Sequence, residues 1–202
     1  KALEEAGVTI MNTGIGWHEA RVPTIVTSVP RAAFVDFTAE IKKHINIPMM
    51  AANRINMPET AEDIVASGQA DMIQMARPFL ADAHWVNKAK NGQTDRINTC
   101  IACNQACLDH TFENKRSTEL VYKKTKKPQK VAVIGGGVAG MSAAHVAALR
   151  GHDVTLFEAK DILGGQFNYA KVIPGKEEFS ETIRYYINEL DHLGLEIKLN
   201  TK

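Results

Sequence analysis

The stretch from Lys130 to Ala159, KVAVIGGGVAGMSAAHVAALRGHDVTLFEA, decides how this chain folds. It reads as an apolar β-strand, a glycine turn, an Ala-rich helix from about Val138 to Leu149 and a second strand. Gly135, Gly137 and Gly140 have the spacing G-x-G-x-x-G. The first permits a tight turn, the second lets backbone approach a pyrophosphate, and the third lets helix and strand pack closely. The helix N-terminus adds N–H groups and the positive end of its dipole. Spacing alone is a weak signal, because a glycine-rich turn in an unrelated fold reproduces it. Here Glu158 closes the second strand about twenty residues on, where a carboxylate can accept hydrogen bonds from an adenosine ribose. The stretch therefore reads as a dinucleotide-binding strand–helix–strand unit. In the following KDILGGQF, Gly164 and Gly165 would again let backbone come close to a cofactor, a simple loop being the alternative.

Toward the N-terminus the texture changes twice. From residue 1 to about 95, the apolar runs VTIMNTGIG (8–16), IPMMAANR (47–54) and ADMIQMARPF (70–79) alternate with the helix-like PRAAFVDFTAEIKKHI and PETAEDIVASGQ. That is the rhythm of β/α repeats around a parallel sheet. Residues 96–129 lack the alternation, carry the chain's three cysteines in CIACNQAC (100–107), and close with KKTKKPQK, which reads as a solvated linker. From 130 the strand–helix–strand pattern begins. Cys100, Cys103 and Cys107 make a poor disulfide framework, with no other cysteine to pair with, but a good cradle for an iron–sulfur cluster, with structural zinc as the competitor.

Bulk composition narrows the function classes. A 202-residue chain with 45% hydrophobic and 23% charged residues can bury a real core. A formal net charge of +1 gives no electrostatic reason to expect nucleic acid or an anionic membrane as partner, so small-molecule chemistry is the default. No apolar run approaches the roughly 18 residues of a spanning helix. The N-terminus KALEEAGVTI has neither a signal-peptide layout nor an initiator Met, so the chain reads as starting inside a longer cytoplasmic protein.

Taken together, NTGIGWHEARVPTIVT, NRIN, MARPFLAD, CIACNQACLD, VAVIGGGVAG and GGQFNYAKVIPGKEEF, in this order, closely resemble a family of flavin and iron–sulfur oxidoreductases. That family includes the bacterial NADPH-dependent 2,4-dienoyl-CoA reductases and trimethylamine dehydrogenase. The resemblance implies an α/β chain of three parts. Residues 1–95 would be the last three β/α units of an FMN-binding TIM barrel, 96–129 an iron–sulfur segment and linker, and 130–202 the start of a Rossmann-like domain for FAD and NAD(P). It implies FMN, FAD and a [4Fe-4S] cluster as cofactors, NADPH as co-substrate, and an acyl-CoA substrate from unsaturated fatty acid breakdown. The remaining barrel and NADPH-binding parts of the parent chain would be partners. A related enoate or amine oxidoreductase, or a non-catalytic electron-transfer fragment, is the alternative.

The resemblance also assigns residues. His18, just past the first strand, is a lone histidine by pattern, but its match implies proton donation at the substrate, beside a tyrosine of the missing barrel half. Arg54 and Arg77 match FMN phosphate and ring contacts, with Met75 and Ala76 lending backbone. Gly165 and Gln166 join the FAD site. The cysteines match three cluster ligands. The family's fourth cysteine is absent, which implies that about a dozen residues are missing near 117–118 and leaves Glu119 a poor substitute ligand. The other histidines read as structural or solvent-facing.

Overall fold

The computed structural model describes residues 1–17, 19–105, 107–113 and 124–202. The chain divides into two compact units, Lys1–Thr94 with Ala102–Ser117, and Asp95–Ile101 with Thr118–Lys202.

In the first unit, α1 (Ala2–Glu5) leads to β1 (Met11–Thr13), α2 (Val35–Lys42), β2 (Met49–Ala51), α3 (Pro58–Ala66), β3 (Met72–Ile73), α4 (Arg77–Ala81) and α5 (Trp85–Lys90). The last helix, α6 (Leu108–Phe112), follows the cysteine segment. The strands form a parallel sheet in the order β1-β2-β3, with Thr13 beside Ala51 and Ala51 beside Ile73. Parallel strands need crossovers, which α2 and α3 supply. Pro58, at the start of α3, has its φ pre-set for a helix and Glu59 meets the positive dipole end. Val35, Ala51, Ile55, Ile64 and Ala70 form the buried core. Asp71 ties the layers together by accepting from the Met49 N–H at 2.8 Å and from Lys42 Nζ at 2.8 Å. The Lys42 bond, and then the Met49 bond, hold its carboxyl below the ordinary carboxylate range.

In the second unit, β4 (Lys130–Ile134), α7 (Val138–Leu149), β5 (Asp153–Phe157), α8 (Phe167–Ala170), α9 (Phe179–His192) and β6 (Glu196–Lys198) follow in turn. Their parallel sheet has the order β4-β5-β6. Val154 and Leu156 alternate inward along β5 and meet Met141 and Ala144 of α7, Leu163, and Leu190 of α9. Met141, Leu156 and Leu190 are fully buried, each contributing about 1.5–3 kcal/mol relative to exposure. α7 stops at Arg150 because Gly151 takes φ +90°, a conformation that costs glycine little. The linker lies along this turn, with Thr125 donating to the Arg150 carbonyl at 2.7 Å and Asp153 to that of Gln129 at 3.0 Å.

Candidate functional site

Two sets of residues have the geometry of ligand sites, one in each unit. The first grows from the glycine turn between β4 and α7. Gly135 takes φ +102° and donates its N–H to the Phe157 carbonyl at 2.8 Å, so the turn is tied to the end of β5. Gly137 caps α7 and its carbonyl accepts from Met141 at 2.9 Å. A Cβ at Gly140 would stand 1.8 Å from the Gly135 carbonyl oxygen, which is why helix and turn can approach only over glycine. Spacing marks these three glycines but passes over Gly136, whose Cβ would come within 2.4 Å of Leu163 and 3.0 Å of the Glu158 carboxylate. The signal that could have found it is the unbroken run of glycines at 135–137.

Glu158 stands directly after β5 and receives the Gly136 N–H at 2.6 Å and the Lys160 N–H at 2.9 Å. Donation from Lys160, then from Gly136, holds its carboxyl below the ordinary range, so it is an anion at neutral pH. A second loop closes on the turn. Gly164 donates to the Gly136 carbonyl at 2.8 Å and forms a parallel bridge with Gly137. A Cβ at Gly165 would lie 2.9 Å from Gly137 Cα, so the two backbones touch where side chains would hold them apart. Gln166, exposed, precedes α8. The structure thus gathers Gly135, Gly137, Gly140, Glu158 and Gly165 at one end of the sheet. Side-chain-free backbone beside a single carboxylate fits the pyrophosphate and ribose of a dinucleotide.

The second set lies at the carboxyl end of the β1-β2-β3 sheet. Because the strands are parallel and in register, the segments leaving Thr13, Ala51 and Ile73 emerge on the same side. They carry Trp17, Arg54 and Arg77. His18 lies outside the described residues, but Trp17 before it is largely exposed. Arg54 is buried, adopts φ +56°, and donates from Nε to the Val29 carbonyl at 2.7 Å. Sequence reading missed Asn53, which also takes positive φ (+70°) and links this turn to the segment after β1 by donating to the Ile15 carbonyl at 2.8 Å. The tolerance of asparagine for that conformation was the available signal. Met75 packs on the core, exposed Ala76 precedes α4, and half-buried Arg77 begins it, donating to Asn104 Oδ1 at 3.4 Å. Guanidinium groups at the carboxyl ends of parallel strands suit a phosphate.

Cys103 is exposed, while Cys100 and Cys107 are half-buried, and none of the three is in a disulfide. Ala102 and Asn104, on either side of Cys103, hold positive φ of 54° and 61°. Asn104 donates to the Ile25 carbonyl at 2.8 Å, fastening that turn. Thiolates are the right donors for iron–sulfur or zinc, but three fall short of a cubane's four. Among the described residues, no three His, Cys, Asp or Glu side chains are gathered so as to hold a metal ion. Glu119 and the 117–118 junction lie outside the described residues.

Residues 1–96 match the NADH:flavin oxidoreductase / NADH oxidase family, and residues 129–202 the pyridine nucleotide-disulphide oxidoreductases. Each match covers less than half of the chain, and together they liken its two parts to two groups of oxidoreductases. It is 43% identical to a metal reductase of Desulforamulus reducens, over all of this chain and 32% of the relative, and 38% identical to an NADH oxidase of Thermoanaerobacter brockii, over 98% and 33%. Among solved structures, a 2-naphthoyl-CoA reductase in complex with 2-naphthoyl-CoA superposes with a TM-score of 0.91 at 34% identity, covering all of this chain and 33% of that one. The chain therefore spans about a third of the length of the relatives it matches. Its flavin-oxidoreductase part is the C-terminal portion of a TIM barrel, and its pyridine-nucleotide part the start of a Rossmann-like domain. Among the described residues no helix is long and apolar enough to cross a membrane.

Proposed function

We propose that this chain is part of a multi-cofactor oxidoreductase that uses NADPH to reduce a conjugated acyl-CoA thioester, of the 2,4-dienoyl-CoA class. The whole-chain likeness to a 2-naphthoyl-CoA reductase carries the choice of substrate. Arg54 and Arg77 would hold the FMN phosphate at the carboxyl end of the β1-β2-β3 sheet, with Met75 and Ala76 offering backbone to the ring. Gly135, Gly137 and Gly140 would receive the FAD pyrophosphate, Glu158 the adenosine ribose, and Gly165 and Gln166 the remainder. When bound, the flavins supply hydride and single-electron transfer. The chain's own residues bind, orient and protonate. Hydride arriving at one end of the conjugated thioester leaves an enolate on the substrate, and His18 donates the proton that completes reduction. Cys100, Cys103 and Cys107 would give three thiolates to a [4Fe-4S] cluster, the fourth coming from a cysteine elsewhere, since Glu119 offers only a hard oxygen.

The deciding experiment uses the intact protein under anaerobic conditions. NADPH oxidation matched by loss of dienoyl-CoA absorbance supports the proposal, and NADPH oxidation that no acyl-CoA accelerates overturns it. A second reading, electron delivery to an inorganic acceptor by the same flavins, is favoured by the 43% identity to a metal reductase. Faster turnover with ferric iron than with any thioester would select it.

A further inference from the structure

Four of the five residues before Cys100, namely Asp95, Arg96, Ile97 and Thr99, are fastened to α9 by a dense set of charged and polar bonds. Arg184 donates to the carbonyl of Asp95, to the carbonyl of Ile97 at 2.9 Å and to the Thr99 hydroxyl at 3.1 Å. Asn188, one turn along, donates to the same Asp95 carbonyl at 2.7 Å. Arg96 reaches Glu189 with two nitrogens, Nε to Oε1 at 2.7 Å and a terminal nitrogen to Oε2 at 3.4 Å. His145 of α7 brings its Nε2 within 3.4 Å of the same carboxylate. Glu189 is 6% exposed, Thr99 3% and Ile97 fully buried. The Glu189 hydrogen bond, foremost, raises Arg96 above its ordinary pKa.

This arrangement is more than a surface ion pair. An isolated buried carboxylate is costly unless paired and hydrogen-bonded, and Glu189 meets Arg96 from the segment and His145 from the helix that starts at the glycine turn. One guanidinium reaching the carbonyls of Asp95 and Ile97 and the hydroxyl of Thr99 fixes the path of the chain from the 3-10 turn at Thr94–Arg96 to the residue before the thiol. Arg184 is itself steadied by Glu181, whose Oε2 accepts from its Nε at 2.6 Å. The network joins three elements of one unit: α7, α9 and the lead-in to the cysteine loop.

We infer that Arg184, backed by the Arg96–Glu189 pair, is a positioning residue for Cys100, setting where its thiolate is presented by the nucleotide-binding unit. The functional meaning rests on the proposed role of Cys100 as a ligand, but the positioning is measurable without it. A lysine could not serve in place of Arg184, because a single ammonium lacks the planar fork that reaches several acceptors at once.

The test is residue-resolved alkylation of the intact protein after any bound metal has been removed by chelation. Iodoacetamide labelling of Cys100, Cys103 and Cys107 is followed by mass spectrometry of the peptides, in the parent, Arg184→Ala and Arg184→Lys. Loss of about one net hydrogen bond's worth of restraint should speed Cys100 labelling about fivefold in Arg184→Ala, with partial recovery at most in Arg184→Lys. Labelling of Cys103 and Cys107, and bound FAD, should not change. An unchanged Cys100 rate overturns the inference, and so does a parallel rise at all three cysteines, which would mean general loosening. Iron and acid-labile sulfide are measured on the parent before chelation. Their absence would sink the cluster proposal while leaving the alkylation result to decide the positioning.

Discussion

Replacing Gly140 by alanine sets two effects of known sign against each other. Gly140 lies in the first turn of α7, and by intrinsic propensity an alanine there would stabilise the helix by about 1 kcal/mol. The geometry reverses the sign. The new Cβ would stand 1.8 Å from the Gly135 carbonyl oxygen, where real Cβ atoms stay at least 3.0 Å away, so the gap must open by about 1.2 Å. Both walls are backbone, so no rotamer change relieves the clash. The turn is anchored besides, through the Gly135 N–H on the Phe157 carbonyl. Overpacking costs about 1–3 kcal/mol, and the upper end applies where backbone must move. Set against the propensity gain, the net loss is about 2 kcal/mol. For a unit of this size that lowers the unfolding midpoint by about 8–16 °C. The assay is thermal release of flavin fluorescence from the intact protein, together with FAD content after gel filtration. A midpoint equal to or above that of the parent, with FAD fully retained, would refute the close approach of helix and turn.

Three further outcomes are expected. Glu158→Ala should lower FAD content while FMN stays, and unchanged FAD would remove Glu158 from the site. Because the Glu158 carboxyl is held below its ordinary value, any stability it contributes is complete above the unfolded value of about 4.3 and is lost as pH falls through the lower folded value. A Glu158→Gln variant should therefore differ from the parent in FAD retention at pH 7 and converge with it as the pH is lowered past that range, as a pH series of flavin release would record. His18→Ala should keep FMN and accept electrons from NADPH while dienoyl-CoA turnover falls about 10²-fold, and loss of FMN with activity would make His18 a cofactor contact instead.

The pyridine-nucleotide part was the most legible from sequence. The helix runs from Val138 to Leu149 as read, because its boundaries are written locally, by the glycine turn before it and Gly151 after it. The barrel part was legible in rhythm rather than in extent. The nine-residue run VTIMNTGIG yields only Met11–Thr13 as strand, since a parallel strand lasts only as long as a neighbour pairs with it. The helix-like PRAAFVDFTAEIKKHI forms a helix only over Val35–Lys42. Ala32 takes φ +58° and gives its N–H to the Arg54 carbonyl at 2.9 Å, and that contact from a later turn overrides local propensity.

By itself the sequence determined the alternation of strands and helices, the three spaced glycines and the three thiols, because each is encoded within a few neighbouring residues. Only the tertiary structure decided that Gly136 is crowded where Gly135 and Gly137 are open, that Arg54 is buried, and that Arg184 holds the approach to Cys100 from 85 or more positions away. Those facts depend on which surfaces meet when distant segments pack, and no periodicity or spacing along the chain records such meetings.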